Sequence, residues 1–286
     1  MNDFAFHAPG SMKEAVELLS QYDGDARVMS GGTALMLLLK QSLVNPDHII
    51  SLHRVPDARS IEVTDGVLHF GGLVTQREVE LSPVVQKAAP LLANAYSRVA
   101  TVRIRNAATV GGGLAQADPA MDPPSSLLIL NASVKVTSAT SERMVPIADW
   151  YSDYYETTIN EDEIVTELLV PIQPSDMAWT YIKYLPRTED DYATVSVAAM
   201  GKAENGKISE VRVGLGAVSS TALRATGLEN ALQGAEVSLD VLRDASQAIA
   251  EIVDPTSDPR GSADYKRDMS VVFARRALQK VLGVKD

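Results

Sequence analysis

Residues 27–41 read RVMSGGTALMLLLKQ, and this stretch sets the frame for the N-terminal fold. Arg27 to Met29 has the look of a short strand, Ser30-Gly31-Gly32-Thr33 of a tight turn, and Ala34 to Gln41 of an apolar helix. A second strand is predicted at His48 to Leu52. Strand, helix, strand at this spacing is a βαβ unit, whose two strands must run parallel. Upstream, Ser11 and Glu14 form a capping-box pattern ahead of a helix with its apolar stripe on Met12, Ala15, Val16 and Leu19.

Downstream the pattern changes. Ile61 to Val63 and Val67 to Phe70 flank Asp65-Gly66, whose two residues both tolerate positive φ, a strong hairpin signal. Helices are predicted around Gln76 to Glu80 and Pro90 to Val99. Strands are predicted at Val134 to Thr137, Ile164 to Val170 and Trp179 to Tyr184. A hairpin follows from Thr194 to Val218, turning at Asn205-Gly206. The remainder reads as helices over Arg224 to Gln233, Leu239 to Val253 and Ala263 to Leu282. The proline-bearing stretch Val170 to Ser175 is the best boundary. It separates a domain at 1–174, divided at about 55/56, from a C-terminal domain at 175–286.

Composition narrows the function. The 286 residues are 45% apolar and 22% charged, ordinary for a globular protein. With 26 basic and 37 acidic residues the net charge is −11, which argues against nucleic acid or an anionic membrane as partner. There is no cysteine, so disulfides, iron–sulfur ligation by thiolate and cysteine nucleophiles are excluded together. No apolar run is long enough for an integral membrane segment and no signal peptide is visible, so a cytoplasmic protein is expected.

Two glycine turns carry the chemistry. In the first, Gly31 and Gly32 let the backbone approach an anion, with N–H groups at the start of a helix pointing at it and the Thr33 hydroxyl as a further donor. A plain strand-to-helix turn is an equal reading of that segment alone. The second is Thr109-Val110-Gly111-Gly112-Gly113, followed by Asp118 and by Asp122 ahead of Pro123-Pro124. Three consecutive glycines are costly in backbone entropy, which suggests close approach by a ligand or another backbone. A carboxylate after such a loop suits sugar hydroxyls, though Asp122 also sits where a helix cap would. Two such cradles favour an extended diphosphate. No G-x-G-x-x-G opens a helix, there is no Walker lysine motif and no nucleophile elbow. The four histidines show no metal-binding spacing, and no catalytic residue or metal ligand stands out.

Five segments in order then resemble one family. FAFHAPGSMKEAVELL (4–19), SGGTALMLLLK (30–40), VRIRNAATVGGGLAQADPAMDPPSSLLIL (102–130), YIKYLPRTEDDYATVSVAAM (181–200) and VRVGLGAVSSTALRA (211–225) are similar to the medium, FAD-binding subunits of molybdenum hydroxylases. These include the subunits of carbon monoxide dehydrogenase and the quinoline and nicotine hydroxylases, and the flavin domain of xanthine dehydrogenase. The resemblance spans nearly the whole chain. It implies an α+β, vanillyl-alcohol-oxidase-like FAD-binding fold, with a small βαβ subdomain, a larger mixed subdomain and a C-terminal domain of antiparallel strands plus helices.

It also implies a role: an electron-transfer subunit that carries FAD. Its electrons would come from two [2Fe-2S] clusters on a small iron–sulfur subunit, after substrate oxidation at the molybdenum cofactor of a large subunit. They would leave to a quinone, dioxygen or NAD. A dimer of heterotrimers is the implied assembly. By the same resemblance Met29, Ser30, Gly31, Gly32, Thr33 and Ala34 wrap the FAD diphosphate. Ala100, Thr101, Ala108, Thr109, Gly111 and Gly112 close on it from the other side. Asp122 holds ribose or ribityl hydroxyls, Val165 and Lys183 lie near the isoalloxazine ring, and Tyr192 covers one of its faces. Gly113 stands where many relatives have asparagine and Ala34 where many have a polar residue, so side-chain contacts are lost there while the backbone cradles remain. The contrasting readings are a self-sufficient flavin oxidase of the same fold and a non-catalytic nucleotide-binding module.

Overall fold

The structure is a computed structural model that describes residues 3–56, 58–186, 188 and 190–285. The chain forms two compact units, and neither is a single run of sequence. The first comprises Met1–Ala88, Thr101–Ala117 and Ala132–Pro171; the second comprises Ala89–Ala100, Asp118–Asn131 and Ile172–Asp286.

In the first unit the βαβ reading gives a three-stranded parallel sheet. His48–Ser51 lies between Ala5–His7 and Ala26–Met29, with Val28 opposite Ile50. The helix Met12–Gln21 buries Ala15, Val16 and Leu19 in a small core with Ile50, Leu52 and Val55. Ser11 caps that helix by accepting from the Glu14 N–H, while the Glu14 carboxylate reaches past Ser11 to the N–H of Gly10.

The rest of this unit is built on a five-stranded antiparallel sheet in the order Ile61–Thr64, Val67–Gly71, Ile164–Pro171, Ser133–Thr137, Glu142–Pro146. The predicted Asp65-Gly66 turn is present, with φ of +51° and +79°. The edge strand Glu142–Pro146 has no clear apolar alternation and ends in proline, so pattern alone does not reveal it. The triple glycine, read as a loop, lies instead in the first turn of a helix, Val110–Gln116, capped by Thr109.

The second unit centres on a four-stranded antiparallel sheet of Ala178–Tyr184, Val195–Glu204, Lys207–Gly216 and Leu223–Arg224. Its hairpin turns at Asn205-Gly206 as predicted, with φ of +51° and +76°. The long helix Ala263–Leu282 lays Phe273, Ala274, Ala277, Leu278 and Val281 against Val195, Val197, Val211 and Val213. On this sheet Gly214 is required by close approach, because a Cβ there would fall 2.2 Å from the carbonyl oxygen of Ser125 in the buried helix Pro123–Ile129.

Two of the C-terminal helices differ from their predicted spans. The expected helix from Arg224 begins at Thr226, because Leu223 and Arg224 pair as a strand with Leu215 and Gly214. The expected helix Leu239 to Val253 divides into Leu239–Ser246 and Ile249–Ile252, with short-range bonds such as Ala248 N–H to Ala245 O at the break. Among the described residues no helix is long and apolar enough to cross a membrane.

Candidate functional site

Three chain segments of the first unit converge on the two glycine turns. The strand Ala26–Met29 leads into Ser30–Ala34 and then the short helix Leu35–Lys40. Gly31 has no room for a side chain: a Cβ would stand 1.9 Å from the carbonyl oxygen of Ala107. Gly32 is in the left-handed region at φ +69°. Its missing Cβ would meet only the flexible Met29 and Met36 side chains at 3.4–3.5 Å, so its requirement is conformational. Among the described residues, none of the backbone N–H groups from Gly31 to Ala34 donates to a backbone carbonyl. A row of part-buried donors without backbone acceptors is what a phosphate needs.

The second turn is built differently. Its N–H groups are consumed by the chain: Val110 to Val74 O, Gly111 to Gly72 O, Gly112 to the Thr109 hydroxyl and Gly113 to Thr109 O. Gly111 is forced by backbone packing, since its Cβ would lie 2.8 Å from Gly72 O and 3.2 Å from Val165 O. Gly112 is forced by the hydroxyls, because its Cβ would fall 2.7 Å from Ser30 Oγ and 2.9 Å from Thr109 Oγ1. Those two oxygens are hydrogen-bonded to each other at 2.9 Å. Thr109 Oγ1 already accepts the Gly112 N–H, and the mutual bond uses one of the two hydroxyl protons, so the pair has one proton left to offer an anion where the first turn offers amides.

The remaining first-unit candidates are distributed around these turns. Ala108 is buried and its carbonyl accepts from Gln76 N–H. Val165 is buried at a bulge in the central strand. Met29 ends its strand, and Thr101 caps the helix Val102–Arg105 through the Ile104 N–H.

The second unit holds Asp122, Lys183, Tyr192 and Ala100. Asp122 occupies the cap position of Pro123–Ile129 but makes no cap bond. Its carboxylate turns to the sheet, where Oδ1 accepts from the Tyr181 hydroxyl at 2.6 Å and Oδ2 from Lys183 Nζ at 3.0 Å. Lys183 Nζ also donates to the carbonyl of Arg98 at 2.8 Å. Both partners of the ion pair are almost fully buried, with side chains 4% exposed. Burial pushes the Asp122 carboxyl above its ordinary range, against the opposing pull of Lys183, the Tyr181 hydrogen bond and Arg98. Burial first, then the Asp122 charge, drives the Tyr181 hydroxyl well above the ordinary tyrosine value.

Tyr192 is half-exposed, with the Arg260 guanidinium 5.5 Å from its ring centre. Ala100 has φ +39°. Tyr181 was missed in the sequence, although its signal was there: it lies two residues before Lys183 in a strand, hence on the same face.

These features match one family over most of the chain. Residues 2–173 fit the family of the FAD binding domain in molybdopterin dehydrogenase, and residues 180–281 fit the carbon monoxide dehydrogenase flavoprotein C-terminal domain. The chain belongs to the FAD-binding medium subunits of the molybdenum hydroxylases. It is 33% identical to the carbon monoxide dehydrogenase medium chain of Hydrogenophaga pseudoflava, covering 96% of each chain. It is 29% identical to the glyceraldehyde dehydrogenase medium chain of Sulfolobus acidocaldarius, covering 98% of each. A solved structure of carbon monoxide dehydrogenase from Hydrogenophaga pseudoflava superposes with a TM-score of 0.94 at 34% identity, covering 98% of this chain and 97% of that one.

The medium-subunit family is one of oxidoreductase flavoproteins, and its α+β fold is the one found here. The residues of this chain fit FAD: free amides at Gly31 to Ala34 and a hydroxyl pair that a side chain at Gly112 would block are suited to a diphosphate. Among the described residues no group of three or more His, Cys, Asp or Glu is placed to hold a metal ion.

Proposed function

We propose that this chain is the electron-transfer subunit of a heteromeric molybdenum hydroxylase, receiving electrons from the [2Fe-2S] clusters of a small partner and passing them to an external acceptor. The observation that carries the reading is the run of unpaired amides at Gly31 to Ala34 beside the Ser30–Thr109 hydroxyl pair. The amides and the one hydroxyl proton that the Ser30–Thr109 bond leaves free hold the FAD diphosphate by donating to it. Asp122 accepts from ribose or ribityl hydroxyls, Lys183 places its positive charge toward the ring, and Val165 and Tyr192 contact it. Met29, Ala100, Thr101, Ala108, Gly111 and Gly112 shape the backbone on either side. Residues 1–174 serve as the FAD-binding domain and 175–286 as the domain that meets the flavin and partner subunits.

When bound, FAD supplies the redox chemistry, taking up electrons singly and releasing them singly or in pairs. The chain's own contribution is to bind, orient and tune. It has no cysteine with which to hold an iron–sulfur cluster, so its electron donor belongs to another chain. The small iron–sulfur subunit and the large molybdenum subunit complete the unit, as a cytoplasmic dimer of heterotrimers. The relatives named for carbon monoxide and for glyceraldehyde fit a division of labour in which the organic substrate is chosen elsewhere.

The test is purification of the native protein from its own cells. It should be yellow, release FAD and co-purify with a cysteine-rich small chain and a much larger molybdenum-binding chain. Alone, the chain should accept electrons from dithionite, pass them to an artificial acceptor and oxidise no aldehyde, N-heterocycle or carbon monoxide. Release of FMN alone, or turnover of an organic substrate by the lone chain at more than a trace rate, overturns the reading.

A further inference from the structure

In the second unit, two side chains of one strand act on a single carboxylate. Tyr181 and Lys183 are two residues apart on Ala178–Tyr184, so both leave the same face of the sheet. Tyr181 donates to Oδ1 of Asp122 and Lys183 to Oδ2, so each oxygen has one fixed donor. An ionised carboxylate has about four acceptor positions, of which these bonds use two. Lys183 divides its hydrogens between Asp122 and the Arg98 carbonyl, and its stem is flexible. The tyrosine ring is buried at 8% exposure and its hydroxyl bond, at 2.6 Å, is the shorter of the two.

We propose that Tyr181 is a positioning residue for flavin binding that acts through Asp122: its hydroxyl sets the plane of the carboxylate and leaves one lone pair on each oxygen for the hydroxyls of the bound flavin. This rests on the proposed role of Asp122 as acceptor of those hydroxyls. The charged and titratable groups acting on Asp122 are Tyr181 and Lys183 from the strand and Arg98 from the end of the helix Pro90–Ser97. Burial opposes ionisation of Asp122, and Tyr181 is one of the groups that offsets it. The Tyr181 hydroxyl itself, pushed well above its ordinary value, stays a donor throughout the working pH range. Phenylalanine would fill the same space without the donor. The tyrosine therefore has a chemical reason to be there that packing does not supply.

The test compares wild type, Tyr181→Phe, Asp122→Asn and the double variant, each as the full chain purified with any partner chains it carries. FAD dissociation is read from the rise in flavin fluorescence on dilution, across pH 5–8, alongside the unfolding temperature. Tyr181→Phe should weaken FAD binding on the order of tenfold, the scale of a hydrogen bond to a charged group. It should also move the acid limb of the affinity curve to higher pH, because Asp122 has lost a donor that favours its charged form. In the Asp122→Asn background the same change should add less than about twofold, as expected when one residue acts through another. Equal weakening in both backgrounds, or an acid limb that does not move, overturns the proposal and makes Tyr181 a packing residue. Wild-type affinity in Asp122→Asn alone overturns the underlying reading of Asp122, and this inference with it.

Discussion

The hydroxyls of Ser30 and Thr109 meet at 2.9 Å although 79 residues separate them. This bond ties the two glycine turns together, and glycine at 112 leaves it room, since a Cβ there would crowd Ser30 Oγ at 2.7 Å and Thr109 Oγ1 at 2.9 Å. Thr109 serves twice, since the same oxygen caps the helix Val110–Gln116 by accepting the Gly112 N–H at 3.0 Å. The two roles separate by mutation. Thr109→Ala should lose about 1 kcal/mol of stability with the cap and weaken FAD binding as well. Ser30→Ala should weaken FAD binding at nearly unchanged stability, and Thr109→Ser should resemble wild type. Urea unfolding with flavin content measured on the same samples checks the order. A Ser30→Ala protein less stable than Thr109→Ala contradicts it.

The two glycines of the first turn should respond unequally. Alanine at Gly32 has space but must adopt φ +69°, at a cost of about 1–2 kcal/mol. Valine there adds β-branching to the same strain, so it should disturb local folding together with flavin binding. Alanine at Gly31 meets the Ala107 carbonyl at 1.9 Å and cannot be accommodated unless backbone moves. Gly31→Ala should therefore be the more damaging in both unfolding temperature and FAD content. Equal tolerance of the two alanines would mean that the approach of Gly31 to residue 107 is not maintained in solution.

Lys183→Met should leave Asp122 buried with Tyr181 as its remaining side-chain hydrogen-bond donor. Removing one partner of a buried ion pair costs about 3–5 kcal/mol. The loss should be largest near neutral pH and shrink as pH falls, because protonation relieves the unpaired carboxylate and burial already holds its pKa above the ordinary value. Adding Asp122→Asn to Lys183→Met should recover much of the stability. Thermal unfolding of the single and double variants from pH 5 to pH 8 measures this. An Lys183→Met defect independent of pH, and not relieved by Asp122→Asn, would place the cause elsewhere.

A second ion pair holds a carboxyl that is shifted the opposite way, downward. Arg143 donates from Nε and from an Nη group to the two carboxylate oxygens of Glu163, each at 2.7 Å, and the Asn160 N–H adds a third bond. The Arg143 bonds are the main reason that the Glu163 carboxyl is held below the usual glutamate range. A lowered folded value means that stability is fully present above the unfolded value of about 4.3 and is lost as pH falls through the folded one. Glu163→Gln should cost about 1–3 kcal/mol at pH 7, with Arg143 partly exposed to solvent. The gap from wild type should close as the solution is acidified below pH 4. A gap that widens in acid would contradict the assignment.

Local pattern was enough for the βαβ start, the Asp65-Gly66 and Asn205-Gly206 hairpins and the C-terminal helix, because each depends on neighbours in sequence. Periodicity, turn chemistry and caps act over a few residues and leave their mark in order. Composition likewise decided that this chain has no thiolate with which to hold a cluster. The glycines were visible too, but not their reasons. Gly31 answers to Ala107, Gly111 to Gly72 and Val165, and Gly112 to Ser30 and Thr109, all at close range across the chain. Only the tertiary structure could assign the free amides to the first turn and the satisfied ones to the second, since donor satisfaction depends on which distant carbonyl arrives. The same holds for Asp122, whose place before Pro123 reads as a helix cap. Its carboxylate is instead claimed by Tyr181 and Lys183, about 60 residues away, because a buried charge goes to the partners that can compensate it.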